Sequence, residues 1–408
     1  MKAYERFLNY VTVHTSSNSQ SETVPTSRIQ FDLANVLVDE LKSLGVKDAR
    51  VDDKCYVYAS IEATPGYEDK PAIGFIAHID TTPDFCGENV NPVIIDNYSG
   101  EDIVLGESSR VLSPDEFPRL PALKGRTLIV TDGSTLLGAD NKAGIAEIMT
   151  LAENLIKNEI PHGRICIGFT PDEEVGSGAD HLDIQAFGAD FAYTVDGGPE
   201  GEISYENFNA ASASFDINGF NVHPGEAKDT MINASLVATE INSMLPTGET
   251  PRDTMDYEGF FHMTSISGSV EHARLDYIIR DHDLAVLEAR KATLRLIEKL
   301  MNEKYGEGTV SLTLKDQYRN MVEKIKPCFH IIENASAAVE KAGIEPMIIP
   351  VRGGTDGANL SFKGLPCPNL GTGGYAFHGP YEHITVEGMD KAVEILENIV
   401  AIYADMPK

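Results

Sequence analysis

The stretch GADNKAGIAEIMTLAENLIKNEIPHGRICIGFTPDEEVGSG, residues 138–178, holds a helix, a strand and a carboxylate pair in direct succession. Apolar side chains at helical spacing predict a helix over 142–157. RICIGFT, 164–170, predicts a strand, and it ends where the carboxylates of PDEEVGSG begin. Outward from this stretch, VYASIEA (57–63), AIGFIAHI (72–79) and ADFAYTVD (189–196) are further short β-rich runs bounded by turn residues. RIQFDLANVLVDELKSL (28–44) predicts a helix that stops at Gly45. Helix and strand patterns alternate through the first 200 residues, as an α/β fold requires. Polar residues gather at the carboxyl ends of these strands, where open α/β sheets place their sites.

From about residue 208 the pattern changes. A strand at 211–219, a helix over 230–245, strands at 260–269 and 272–280, a helix over 283–303 and a strand at 309–314 follow one another. That β-α-β-β-α-β order predicts a ferredoxin-like α+β domain. The α/β pattern then resumes with a helix over 327–342, MIIPV (347–351), PNLGTG (368–373) and a final helix over 387–404. The expected fold is an α/β domain with a mixed sheet flanked by helices, built from 1–207 and 321–408 and interrupted by an inserted domain over 208–320. A chain of 408 residues is also too long for one ordinary core, so two domains suit its length.

Composition narrows the function. Against 33 basic residues stand 63 acidic ones, a net charge of −30, which argues against nucleic acid and anionic membranes as partners. No run of eighteen apolar residues exists to span a bilayer. MKAYERFLNYVTVHTSS at the start reads as an amphipathic helix and not as a signal peptide. Five cysteines, Cys55, Cys86, Cys166, Cys328 and Cys367, are scattered without a C-x-x-C pair, so reduced thiols and a cytoplasmic location are expected.

The polar strand ends carry the chemistry. His78 and Asp80 are two apart on a strand and face the same way, so an imidazole could bind a metal while the carboxylate holds its other N–H. Asp140 lies on a glycine-flanked turn feeding a helix; it could be an N-cap or a carboxylate bridging two cations. Glu173 and Glu174 cannot both point the same way, so one could bind a metal and the other act as general base. Asp196, before glycines, and His378, after a glycine-rich stretch, complete a set of nitrogen and oxygen donors that suits zinc with an open position. His162, His181 and His330 fit no such pattern and are expected at the surface or on helices.

HID, GADNKAG, PDEEVGSG, VDGG and HGPYE, in that order, resemble the motif set of the M20 metallopeptidases. The likeness runs the full chain and extends to RFLNYVTVHTSS, HIDTTPDFCGENVNP, NVHPG (221–225) and RGGTDGANLS (352–361), which resemble one tripeptide-cleaving branch of that family. The resemblance implies two zinc ions per subunit, with His78 and Asp196 on one, Glu174 and His378 on the other, and Asp140 bridging. It implies Glu173 as general base, Asp80 as the carboxylate orienting His78, and the inserted domain as a lid. The spacing from His378 to Glu382 favours His378 over His383 as the last ligand. His223 resembles a lid histidine that stabilises the oxyanion, and Arg280 and Arg352 resemble residues that bind the substrate's terminal carboxylate.

The expected activity is removal of the N-terminal residue from a tripeptide by a cytoplasmic di-zinc aminopeptidase, as monomer or homodimer. A deacylase, dipeptidase or carboxypeptidase on the same scaffold is the rival enzyme. A non-catalytic metal protein is the rival of another class, against which the spare carboxylate speaks.

Overall fold

Strand Ile73–His78 is buried at all six positions, the burial expected of a central strand covered on both faces. In the computed structural model, which describes residues 1–406, the chain divides into two compact units. The first comprises Met1–Tyr205, Glu323–Ile349 and Thr355–Lys408; the second comprises Glu206–Val322 and Pro350–Gly354.

In the first unit Ile73–His78 lies inside an eight-stranded mixed sheet. It runs parallel to Ile165–Thr170 on one side and to Phe191–Val195 on the other. Val57–Ile61 adds antiparallel to Ile165–Thr170, and Arg50–Val51 closes that edge. Beyond Phe191–Val195 come Asn369–Leu370, Glu202–Ser204 and Met347–Ile348. Register pairs His78 with Thr170 and Ile76 with Thr194, so the carboxyl ends of the three central strands finish at one level.

Alternation sends Ile76, Cys166 and Ala192 into one apolar cluster with Leu182, Phe187 and Leu360. Phe75 and Tyr193 point the other way and stack with ring centroids 6.1 Å apart. Helix Ala139–Lys157 packs on the strand Ile73–His78, and helices Ala3–Tyr10 and Val386–Asp405 pack on that helix. Gly144 allows a close approach there. A Cβ on it would stand 1.9 Å from the Val195 carbonyl oxygen, so only glycine lets the start of this helix meet the end of that strand.

A second sheet in this unit was not anticipated. Its order is Gly374–Tyr375, His383–Thr385, Leu128–Val130, Val93–Ile95. His162, expected at the surface or on a helix, is buried in a loop with its Nδ1 2.6 Å from the Gly163 carbonyl. The turn folds back on Thr64, whose amide and hydroxyl bond the His162 carbonyl.

The second unit is a four-stranded antiparallel sheet ordered Phe260–Gly268, His272–Asp281, Asn209–Asn218, Val310–Asp316. Helices Ala234–Ser243 and Leu284–Tyr305 pack on it. Asn233 caps the first helix by accepting from the Ser235 and Leu236 amides, and Asp283 caps the second through Ala285 and Val286. Phe215, Ile217, Val237, Ile241, Leu275 and Leu294 form its core, each buried side chain contributing about 1.5–3 kcal/mol. Among the described residues no helix is long and apolar enough to cross a membrane, and all five cysteines are free.

Candidate metal centre

The carboxyl ends of the central strands bring five predicted residues of the first unit together. His78 Nε2 is 2.8 Å from Asp140 Oδ1 and 3.9 Å from Asp196 Oδ1. His378 Nε2 is 3.0 Å from Glu174 Oε2 and 3.5 Å from Asp140 Oδ2. Asp140 therefore lies between two histidine–carboxylate pairs and turns one oxygen toward each. Donor atoms of His78, Asp140 and Glu174 lie within 4.8 Å of one another, close enough to share an ion.

Local structure explains these positions. Gly138 at φ +81° turns the chain at the entry to the helix Ala139–Lys157, where Asp140 holds a non-helical backbone, φ −88° and ψ 102°, ahead of the regular turns. Asp172 and His378 both hold φ near +60°, at 61° and 65°, a backbone state uncommon for residues other than glycine and often found at functional sites. Glu173 and Glu174 sit on a short turn directly after the strand Ile165–Thr170.

Asp80 has more than the expected role. The nearest partner of His78 Nδ1 is the Asp80 backbone carbonyl at 2.9 Å, with the carboxylate Oδ1 farther off at 3.4 Å. The Asp80 carboxylate instead accepts the amides of Glu173 and Glu174, at 3.0 and 3.2 Å. One residue thus orients a histidine through its main chain and anchors the glutamate turn through its side chain.

Electrostatics mark a cation site. Burial works against a charged His78, yet its hydrogen bonds to Asp140 and Asp80 push it well above its ordinary value. Hydrogen bonds to Asp140 and Glu174 push His378 up to about 11. Burial pushes Asp196 up to about 8, with the Asp140 charge adding to it, and drives Glu173 well above the usual carboxylate range. Glu174 Oε1 is buried with no hydrogen-bond partner among the described residues. An orphaned acceptor, four carboxyls and two imidazoles around one point fit a pair of divalent cations bound by nitrogen and oxygen.

Residues missed from sequence support this centre. Asp172 accepts from the Thr26 amide and hydroxyl and from Gln30 Nε2, tying the N-terminal segment to the glutamate turn. Asp356 accepts from the Thr170 hydroxyl at 2.8 Å, and burial pushes it up to about 6. A Cβ on Gly178 would stand 2.4 Å from both Asp356 oxygens, so the second glycine of PDEEVGSG makes room for that carboxyl. The run RGGTDGANLS contained Asp356, but nothing in its spacing pointed to the strand end it faces.

The remaining predicted residues are placed elsewhere. His383 stacks on Tyr375 and meets Phe117 edge-on, and its Nδ1 lies 2.8 Å from the Tyr381 carbonyl. His223, Arg280 and Arg352 belong to the second unit. His223 is exposed and its Nδ1 accepts the Gly225 amide at 3.2 Å. Arg280 is buried, donates to the Ala211 and Ile279 carbonyls and lies over the Tyr318 ring. Arg352 donates to the Asp256 and Glu258 carbonyls and the Thr254 hydroxyl, and lies over Phe208.

A mixed α/β sheet with a partly buried acid–imidazole cluster at one end of its central strands and a spare, half-buried carboxyl is the framework of a metal-dependent hydrolase. The model of peptidase family M20/M25/M40 matches residues 132–402, and the chain belongs to that family. Within it, the chain is similar from end to end to peptidase T. It is 56% identical to peptidase T of Clostridium perfringens over 405 residues, 99% of each chain. It is 54% identical to that of Bacillus subtilis over 398 residues, 97% of each chain. Among solved structures, the fold matches aminopeptidase PepT from Bacillus cereus with TM-score 0.78 at 24% identity, covering 99% of this chain and 98% of that one. A tripeptidase from Staphylococcus aureus gives TM-score 0.79 at 20% identity with the same coverage. A dinuclear metal-binding M20 peptidase from Bacillus subtilis gives 0.64 at 16% identity, covering 98% of each.

Proposed function

We propose that this peptidase removes the N-terminal residue from tripeptides, using two zinc ions per subunit. The observation that carries the reading is Asp140, set between the His78–Asp196 and His378–Glu174 pairs with one oxygen toward each. End-to-end similarity to peptidase T supports the tripeptide substrate. His78 and Asp196 would hold one cation, His378 and Glu174 the other, and Asp140 both. When bound, such a pair lowers the pKa of a water and polarises the scissile carbonyl.

The chain's own groups do the rest. Burial makes the Glu173 carboxyl a strong base once ionised, so it takes the attacking water's proton and returns one to the leaving amine. Asp80 holds the Glu173 amide, which fixes where that base stands. Asp80 and the His78 ring lie next to each other, so the same residue also keeps the imidazole in one orientation. His223, exposed on a loop of the inserted domain over 208–320 that would act as a lid, is the proposed donor to the oxyanion. Arg280 and Arg352 are the proposed partners of the peptide's terminal carboxylate, a role that suits a guanidinium fork.

The test is hydrolysis of a tripeptide by metal-loaded and chelated protein, with the products identified. A free N-terminal amino acid plus a dipeptide, formed only by the loaded protein, is the expected result. Preferential cleavage of N-acetyl amino acids or of C-terminal residues would overturn the reading. Zinc is tested by the metal content of protein purified without added metal, and subunit number by the mass of the particle in solution.

A further inference from the structure

Glu382 follows His378 by four residues, in the segment HGPYE. Its side chain is buried, at 1% exposure. Lys142 is the nearby cation, but its Nζ donates to the Val13 carbonyl at 2.7 Å. Backbone amides occupy both Glu382 oxygens. Oε2 accepts from Leu137 and Gly138, each at 2.8 Å, and Oε1 accepts from Asp140 at 2.9 Å. These three donors are the turn that carries Asp140 into its place between the two histidines.

A carboxylate taken out of water is costly unless other donors replace its hydration. Three amide donors from one turn do so here, and charge-assisted bonds of this kind are about twice as strong as neutral ones. The same bonds remove the turn's freedom. Without them, three amides at the entrance to the helix would need other partners, and Gly138, at φ +81°, would leave the turn pliable. A glutamine could not substitute, because its NH2 would face one of the amide donors.

We infer that Glu382 is a positioning residue: it clamps the Leu137–Asp140 turn so that the two Asp140 oxygens stand ready for two cations. One short segment then supplies a metal ligand, His378, and the clamp for another, Asp140. Asp80 does the corresponding work for the glutamate turn through the Glu173 and Glu174 amides. Two turns of the centre are thereby each held by a carboxylate from a different part of the chain. The inference rests on the two-metal reading above.

Metal dissociation constants measured by chelator competition, with Co2+ and Zn2+, test it on wild type, E382Q and E147Q. Glu147 lies buried farther along the helix that this turn enters, and among the described residues its two oxygens have no hydrogen-bond partner. E382Q is expected to bind at least one of its metals more weakly by roughly 10–100-fold, as is typical when the residue supporting a ligand is changed. Its kcat should fall with KM for a tripeptide little changed, while E147Q keeps wild-type metal affinity. Equal affinity in E382Q and wild type, or an equal loss in E147Q, overturns the inference. A lower melting temperature of metal-free E382Q with unchanged metal affinity overturns it too, since that is what a purely structural role produces. Should E382Q not fold, hydrogen exchange on the metal-free wild type decides. Slow exchange at the Leu137, Gly138 and Asp140 amides supports the clamp, and exchange at the rate of an open loop defeats it. A wild-type chain that takes up no metal fails the two-metal reading and this inference with it. Uptake of two metals with no effect of E382Q fails this inference alone.

Discussion

A carboxyl removed from water beside other carboxyls ionises reluctantly; at Glu173 burial dominates, the charges of Asp196, Asp356 and Glu174 add to it, and His78 opposes it. A bound cation pair would supply the missing compensation and leave Glu173 ionised for the base's role proposed for it. Glu173→Gln should therefore keep wild-type metal content and lose about 10²–10⁴-fold in kcat. Turnover near wild type would remove Glu173 from the base's role. Asp80→Asn has a different signature, because that carboxylate holds the glutamate turn with both oxygens. It should weaken metal binding by roughly 10–100-fold as well as slow turnover; metal titration separates the two variants. Several residues at this scale were legible before any coordinates. The five residues expected as donors stood at strand ends or on loops, in a recognisable order. Glu382 was visible only as a spacing after His378, and its partners lie more than 240 residues away, as the 242-, 244- and 245-residue separations of its three bonds show.

Elements bring those residues to one level, and they do so through register and close packing. Gly144 makes one such contact, 1.9 Å from a Cβ built on it to the Val195 carbonyl oxygen. Gly144→Ala would push a methyl into the Val195 carbonyl, and such overpacking costs about 1–3 kcal/mol. Urea denaturation should show that loss, and undiminished stability would mean the helix can shift without penalty. The long elements were readable because their periods are. The helix expected over 142–157 is observed as Ala139–Lys157, and the strand expected at 164–170 as Ile165–Thr170. The four-stranded second sheet escaped notice for a physical reason. Its strands run only two or three residues, too short to display a period, and His383 pairs with Val130 across a long loop of chain. His162 escaped for a similar reason: a polar loop residue is buried here by backbone partners that its own surroundings in the chain do not reveal.

For the molecule as a whole, the centre links metal, protons and stability. Asp196 rises from 3.8 to about 8 and His378 from 6.5 to about 11 in the metal-free chain. Both folded values lie above the unfolded ones, so each group favours the folded state while protonated and loses that contribution as pH rises through the folded value. The window runs from 3.8 to about 8 for Asp196 and from 6.5 to about 11 for His378, and the two overlap between 6.5 and about 8. The melting temperature of metal-free protein should fall across that overlap. Zinc should reverse the trend, because the ligands must lose their protons to bind it. A metal-free melting temperature that climbs from pH 6.5 to 8 would contradict the proton–metal exchange. At neutral pH, free metal at about 1,000 times its dissociation constant should add roughly 4 kcal/mol to stability, and chelation should remove it.

By itself, the sequence determined the α/β class, the separate antiparallel sheet and the family, because periodicity and ordered motifs are local properties of a chain. Only the tertiary structure decided which atom faces which. It set the two Asp140 oxygens toward different histidines, turned the Asp80 carboxylate to the glutamate turn, and closed Glu382 on the turn that carries Asp140. Those relations depend on strand register and on contacts between segments 62 to 242 residues apart. No local pattern encodes them, since each exists only once the central strands have paired.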